Sequence, residues 1–166
     1  MNELEKLYEK KEYDGRTKFK QLVSNGKNRV EFTNDAYNHI DAFFTASTND
    51  IYGVEIKNRQ KQYDCYPTLI VETIKYDAMK EHQDSNDTNE CILVYFFEDI
   101  AYVLKWTTIN TLLDNNIVNV EYKWLPDSTV NKHKMIQKTC IEVPKEYAYK
   151  YVFDSTLDKW KQISRP

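Results

Sequence analysis

The chain has 166 residues but only 3 glycines, 4 prolines and 3 cysteines. With so few glycines, neither a phosphate-cradling glycine loop nor a dinucleotide fingerprint can be written along it, and no G-x-S-x-G elbow is present. No nucleotide cofactor is therefore expected. Cys65, Cys91 and Cys140 are odd in number and widely spaced, which fits neither a disulfide framework nor a zinc knuckle; they read as three buried thiols. The longest apolar runs, such as Cys91 to Phe97, fall far short of the roughly 20 residues that cross a bilayer, so no membrane span is expected. Met1 to Lys6 has neither the apolar stretch of a secretory leader nor the Arg-rich, acid-poor character of a transit peptide, and a cytoplasmic location is expected. No repeat of fixed period occurs, which argues against solenoids and propellers. A surplus of positive charge is also missing: 23 Lys and Arg against 26 Asp and Glu give a formal net charge of -3. Any contact with nucleic acid must then be local rather than carried by bulk charge.

Aromatic residues are abundant, with 13 Tyr, 7 Phe and 3 Trp, and together with the shortage of glycine they favour strands. The length suits one domain, 1–166. Leu4, Leu7, Phe19 and Leu22 follow a helical pattern interrupted at Tyr13-Asp14-Gly15 and closed by Asn25-Gly26, which predicts one broken helix or two short ones. Arg29 to Thr33 looks extended, with a turn signal at Asn34-Asp35. Tyr37 to Thr45 and Ile51 to Asn58 then alternate with period two around a polar turn of hairpin length. Pro67 predicts a helix start, and Ile70, Val71, Ile74 and Ala78 continue at helical spacing to about Glu81. A polar loop at His82 to Asn89 precedes a second hairpin, Cys91 to Phe97 with Ala101 to Thr107, and a short helix at Ile109 to Asp114. Val118 to Trp124 and Lys134 to Val143 are further strands, and Lys145 to Tyr151 is a candidate short helix. This order indicates an α/β (α+β) fold with a core over about 14–108 and a strand-rich extension over 109–166.

The chemistry concentrates in the first hairpin. A turn centred near Thr48 sets position 41 against position 55, so Asp41 and Glu55 are expected to face each other across the ladder. Two carboxylates that close repel unless a cation lies between them, and an all-oxygen site suits Mg²⁺ or Mn²⁺. Lys57 follows two residues on and projects from the same strand face, where an amine can orient a water or stabilise charge on phosphorus. Arg59 continues that side, and His39 lies on the Asp41 face as a structural hydrogen-bond partner. The lysines at 6, 10 and 11, at 18 and 20, and at 132, 134 and 138 read as solvated faces, the first group interleaved with Glu5, Glu9 and Glu12.

His39-Ile40-Asp41, followed after thirteen residues by Glu55-Ile56-Lys57, resembles the D…(D/E)-x-K signature of the PD-(D/E)xK nuclease superfamily, with Ile40 in the place of the leading proline. The resemblance implies a restriction-endonuclease-like three-layer core, a mixed central sheet flanked by helices. It implies metal ligation by Asp41, Glu55 and the Ile56 carbonyl, with Lys57 as the catalytic lysine. Glu72 and Tyr76 fall on the Q-x-x-x-Y pattern of the recombination-exonuclease branch, with Glu in place of Gln, and with Arg59 and Lys75 they are weaker candidates for substrate contact. The superfamily often supplies a further acid from its first helix, where Glu5, Glu9, Glu12 and Asp14 all qualify. The later segments resemble the tails of small phage-type or mobile-element nucleases of this class. The expected function is a Mg²⁺-dependent (or Mn²⁺-dependent) nuclease acting on DNA, with a homodimer as the expected assembly. The alternative is a catalytically inactive nuclease-fold protein that binds DNA or serves as a complex subunit.

Overall fold

The N-terminal pattern folds as one unbroken helix, α1 (Glu3–Leu22), in a computed structural model that describes residues 3–24, 28–34, 39–59, 65–85, 87–127 and 134–166. The interruption expected at Gly15 does not occur, because the glycine is a packing position. A Cβ there would come within 3.2 Å of Asn58 Cβ and 3.3 Å of Ile56 Cγ2. Glycine costs a helix roughly 0.5–1 kcal/mol against alanine, and close approach to the sheet offsets that cost. The Asn25-Gly26 signal, half of the Asn34-Asp35 turn and the first residues of the expected strand from Tyr37 lie outside the described residues.

The strands β1 (Arg29–Phe32), β2 (Ala42–Thr45) and β3 (Ile51–Asn58) form an antiparallel meander. From β3 the chain passes through β4 (Thr68–Glu72) and α2 (Thr73–Asp84) into β5 (Glu90–Phe96), which lies parallel to β3. A hairpin leads to β6 (Ile100–Lys105), then α3 (Trp106–Asp114), β7 (Val120–Pro126) and β8 (Met135–Pro144). A 3-10 turn at Lys145–Tyr147 and a last hairpin, β9 (Tyr149–Asp154) and β10 (Lys159–Ser164), complete the chain. The result is an α+β fold with a mixed seven-stranded sheet, β1-β2-β3-β5-β6-β9-β10, and a second sheet, β4-β8-β7.

Two helical expectations give way to strands. Thr68 to Glu72 is predicted as the first turn and a half of a helix, but Leu69 and Val71 alternate as buried residues and the segment pairs with β8, Val71 opposite Ile141. A five-residue run containing Ile70 and Val71 satisfies both periods, and the waiting β8 ladder decides between them. Lys145 to Tyr151 is helical for a single 3-10 turn before Tyr149 enters β9, where Tyr151 pairs with Ala101 of β6.

Both faces of the main sheet are covered. On one side α1 contributes Phe19 against Ala42, Val54, Val94, Phe96 and Trp160. On the other, Met79 of α2 and Ile109 of α3 pack with Leu69, Val71, Leu93 and Ile141. Double coverage explains the continuous apolar run of β5, buried from Cys91 to Phe96. Gly53 is held small by its neighbour in the sheet: an added Cβ would lie 2.9 Å from Sγ of Cys91, its partner on β5. Gly53→Val is expected to destabilise the protein by about 1–3 kcal/mol through overpacking, read as a lower urea midpoint at unchanged m-value. A midpoint equal to that of the parent protein would contradict this packing.

Candidate active site

The turn at residues 46–50 closes the β2–β3 hairpin in the register its length implies, with Ala42 opposite Val54, Phe43 opposite Gly53 and Thr45 opposite Ile51. The regular ladder stops at Ala42. The Asp41 N–H also donates to the Val54 carbonyl at 2.8 Å, so two consecutive residues meet one partner, as in a β-bulge. Ile40 consequently turns into the core on the α2 side, whereas Ala42 packs on the α1 side, and the simple alternation expected through this strand is broken. Freed from the ladder, the Asp41 side chain takes the next position along it: Oδ2 accepts the Ile56 N–H at 2.6 Å. Because N–H and C=O of a strand residue point to the same side, the Ile56 carbonyl is turned toward Asp41 as well.

Glu55 is 3% exposed, a buried acid in the middle of the sheet. Its two oxygens are held separately: Lys57 Nζ lies 3.0 Å from Oε1 and Lys75 Nζ, arriving from α2, lies 3.0 Å from Oε2. Lys75 Nζ also reaches the His39 carbonyl at 3.5 Å, which ties α2 to the segment before the bulge. Burial first, and the charge of Glu55 second, push the Asp41 carboxyl up to about 6, against the Ile56 N–H and the charges of Lys75 and Lys57, which lower it. Asp41 and Glu55 are thus neighbours that feel each other's charge in a site with little water, the condition under which a cation between carboxylates is most favourable.

Arg59 and Glu72 extend the cluster. Glu72 ends β4 and accepts a bond from Lys138 of β8 at 3.0 Å. Burial disfavours its charged form, but the Lys138 bond and the nearby charges of Lys57, Lys138 and Arg59 outweigh it and hold the carboxyl below its ordinary value. Arg59 follows β3 into an open groove of about 500 Å³ lined by Tyr13, Asp14, Lys18 and Asn58. Tyr76 turns away from this cluster: its hydroxyl donates to Asn110 Oδ1 at 2.7 Å and its ring stacks on Trp106. Among the acids of α1, Glu12 is bonded to Arg16 and shares a helix face with Tyr8. Burial raises the Tyr8 hydroxyl pKa, and so do the charges of Glu12, Asp41 and Glu55, which puts this face of α1 beside the site. Asp14 lines the groove instead.

Lys75 and Lys138 are the residues whose part in the site the sequence hides. The sequence marks Lys75 as a weaker candidate for substrate contact with no sign that it meets Glu55, and nothing linear connects Lys138 with Glu72 across 66 residues. Among the described residues, no group of three or more His, Cys, Asp or Glu side chains is arranged to hold a metal ion. The donor set of two carboxylates and one backbone carbonyl still fits Mg²⁺, which commonly takes one or two carboxylates and keeps several waters. No family model matches this chain, and no curated protein matches it.

Proposed function

We propose that the protein is a restriction-endonuclease-like, Mg²⁺-dependent nuclease that hydrolyses phosphodiester bonds in DNA. The observation that carries this reading is the convergence of Asp41, Glu55 and Lys57 at the bulged end of one hairpin, with Ile56 N–H on Asp41 and Lys57 on Glu55. A mixed sheet with α1 on one face and α2 and α3 on the other is compatible with this reading and supports it. Asp41, Glu55 and the Ile56 carbonyl would hold the ion, whose chemistry is to polarise a phosphate and lower the pKa of a bound water. Lys75 holds Glu55 Oε2 and fixes the direction of the carboxylate. Lys57, less exposed than Lys75, stands at Oε1 with an amine able to stabilise charge on a phosphate oxygen or to order the attacking water. Arg59 leads from the centre into the groove beside α1, where a guanidinium can grip backbone phosphate.

The test is incubation of the purified protein with plasmid DNA and Mg²⁺ or Mn²⁺. Nicking or degradation that stops on chelation, and that Lys57→Ala lacks, is the expected result; undiminished cleavage by Lys57→Ala would reject the assignment. One observation favours a second reading, that of a nuclease-fold protein without activity: both oxygens of Glu55 are already matched by lysines. On that reading calorimetry with Mn²⁺ detects no binding and no nucleic acid is cut.

A further inference from the structure

The second sheet ends in an open edge. In the order β4-β8-β7, β7 is outermost, and among the described residues its outward backbone groups have no strand beside them. Val120, Tyr122 and Trp124 project from one face of this strand and are 54%, 72% and 67% exposed. Met135 of β8, opposite Pro126, extends the apolar strip. Exposed edges are usually guarded by several charges, but β7 carries a single lysine, Lys123, whose ammonium pairs with Glu142 of β8 and keeps further N–H donors for a second carboxylate. The proline sits at the last position of β7, where it leaves the preceding edge groups available.

We propose that β7 pairs with β7 of a second copy of this chain, antiparallel about a two-fold axis through Tyr122, joining the two small sheets edge to edge. The charge pattern selects that register. A two-fold axis perpendicular to the sheet maps each face onto itself, so it must pass through a residue rather than between residues. An axis through Tyr122 sets Glu121 of each copy against Lys123 of the other, Val120 against Trp124, and Tyr122 against Tyr122. Moved to Lys123, the axis opposes two lysines; moved to Glu121, it opposes two glutamates, and like charges directly across a ladder destabilise it. Moved to Trp124, it leaves Lys123 against Leu125. Only the Tyr122 axis matches both charges, and it also gathers the exposed aromatics of both strands on one face, where cross-strand aromatic contacts stabilise pairing.

This interface stands on the edge strand alone and does not rest on the nuclease reading. Sedimentation velocity of the full chain over a wide concentration range tests it, with a concentration-dependent doubling of mass expected. Glu121→Lys and Lys123→Glu are each expected to weaken self-association roughly tenfold or more, since each opposes like charges twice per interface. An equimolar mixture of the two variants is expected to dimerise, because each supplies the charge the other lacks. Far-UV circular dichroism establishes that the variants are folded. Glu121 is exposed, so Glu121→Lys decides the matter even if Lys123→Glu, which also breaks the pair with Glu142, fails to fold. Monomers at every concentration, Glu121→Lys associating like the parent protein, or a mixture of two folded variants that stays monomeric would each overturn the proposal.

Discussion

Glu55→Gln is expected to lower metal-dependent DNA cleavage by roughly 10²–10⁴-fold, the range associated with losing a positioned acid–base or metal-holding group. The substitution keeps the side-chain volume in a position that is 3% exposed but removes the negative charge shared by Lys57 and Lys75. Breaking a buried pair by removing one partner costs about 3–5 kcal/mol where the remaining charge is fully buried. Here the two lysine side chains are 14% and 20% exposed, so part of that cost is relieved by water. Cleavage and urea midpoint are therefore measured on the same preparation. Lys75→Ala separates the two effects, because it leaves the Lys57–Glu55 pair intact and is expected to retain more activity than Lys57→Ala. Folded Glu55→Gln cutting DNA at the parent rate would remove the basis for the proposed centre.

The second large effect expected from the proposed centre is a pH-dependent stabilisation by divalent cations that passes through Asp41. Its folded carboxyl titrates at about 6 against an ordinary value of 3.8, chiefly because it is buried and secondarily because Glu55 is beside it. A raised acid binds its proton more tightly in the folded state, so without metal this group's stabilising contribution is complete below about pH 4 and is lost as pH rises through about 6. The loss is on the order of 2–3 kcal/mol, at about 1.4 kcal/mol per pH unit. Cation binding needs the deprotonated carboxylate and therefore works in the opposite direction. Thermal melts are expected to show little gain from Mn²⁺ near pH 5 and a clear rise in Tm above pH 6.5, with the metal at many times its Kd. Asp41→Asn is expected to flatten the metal-free pH profile and to lose the Mn²⁺ gain. A Tm increase in Asp41→Asn equal to that of the parent protein would place the ion elsewhere.

The reach of the linear sequence can be traced residue by residue. The second hairpin is legible because β5 and β6 are apolar runs bracketing Glu98-Asp99, and the structure pairs Phe96 with Ala101 as that spacing requires. The helix after β6 is legible from Ile109 on, since Ile109 and Leu112 are spaced for one buried face, but it starts at Trp106, inside the segment that the sequence reads as strand. Thr68 to Glu72 was not legible as a strand, because its partner β8 comes about 70 residues later and a short apolar run has no period of its own to betray it. Gly15 misled in the opposite direction: a residue that usually interrupts a helix serves as the place where α1 touches Ile56 and Asn58.

The first hairpin sets the boundary most clearly. Turn length and period-two alternation determined that β2 and β3 pair as Ala42 with Val54, and that Glu55 and Lys57 leave one strand on the same face, because both follow from local backbone geometry. Tertiary structure decided the rest. It introduced the bulge that turned Asp41 out of the ladder onto the Ile56 N–H, brought Lys75 from α2 to the second oxygen of Glu55, and carried Lys138 from β8 to Glu72. Those contacts depend on how separate layers stack, and side chains 20 to 66 residues apart have no common local rule by which a sequence could announce them.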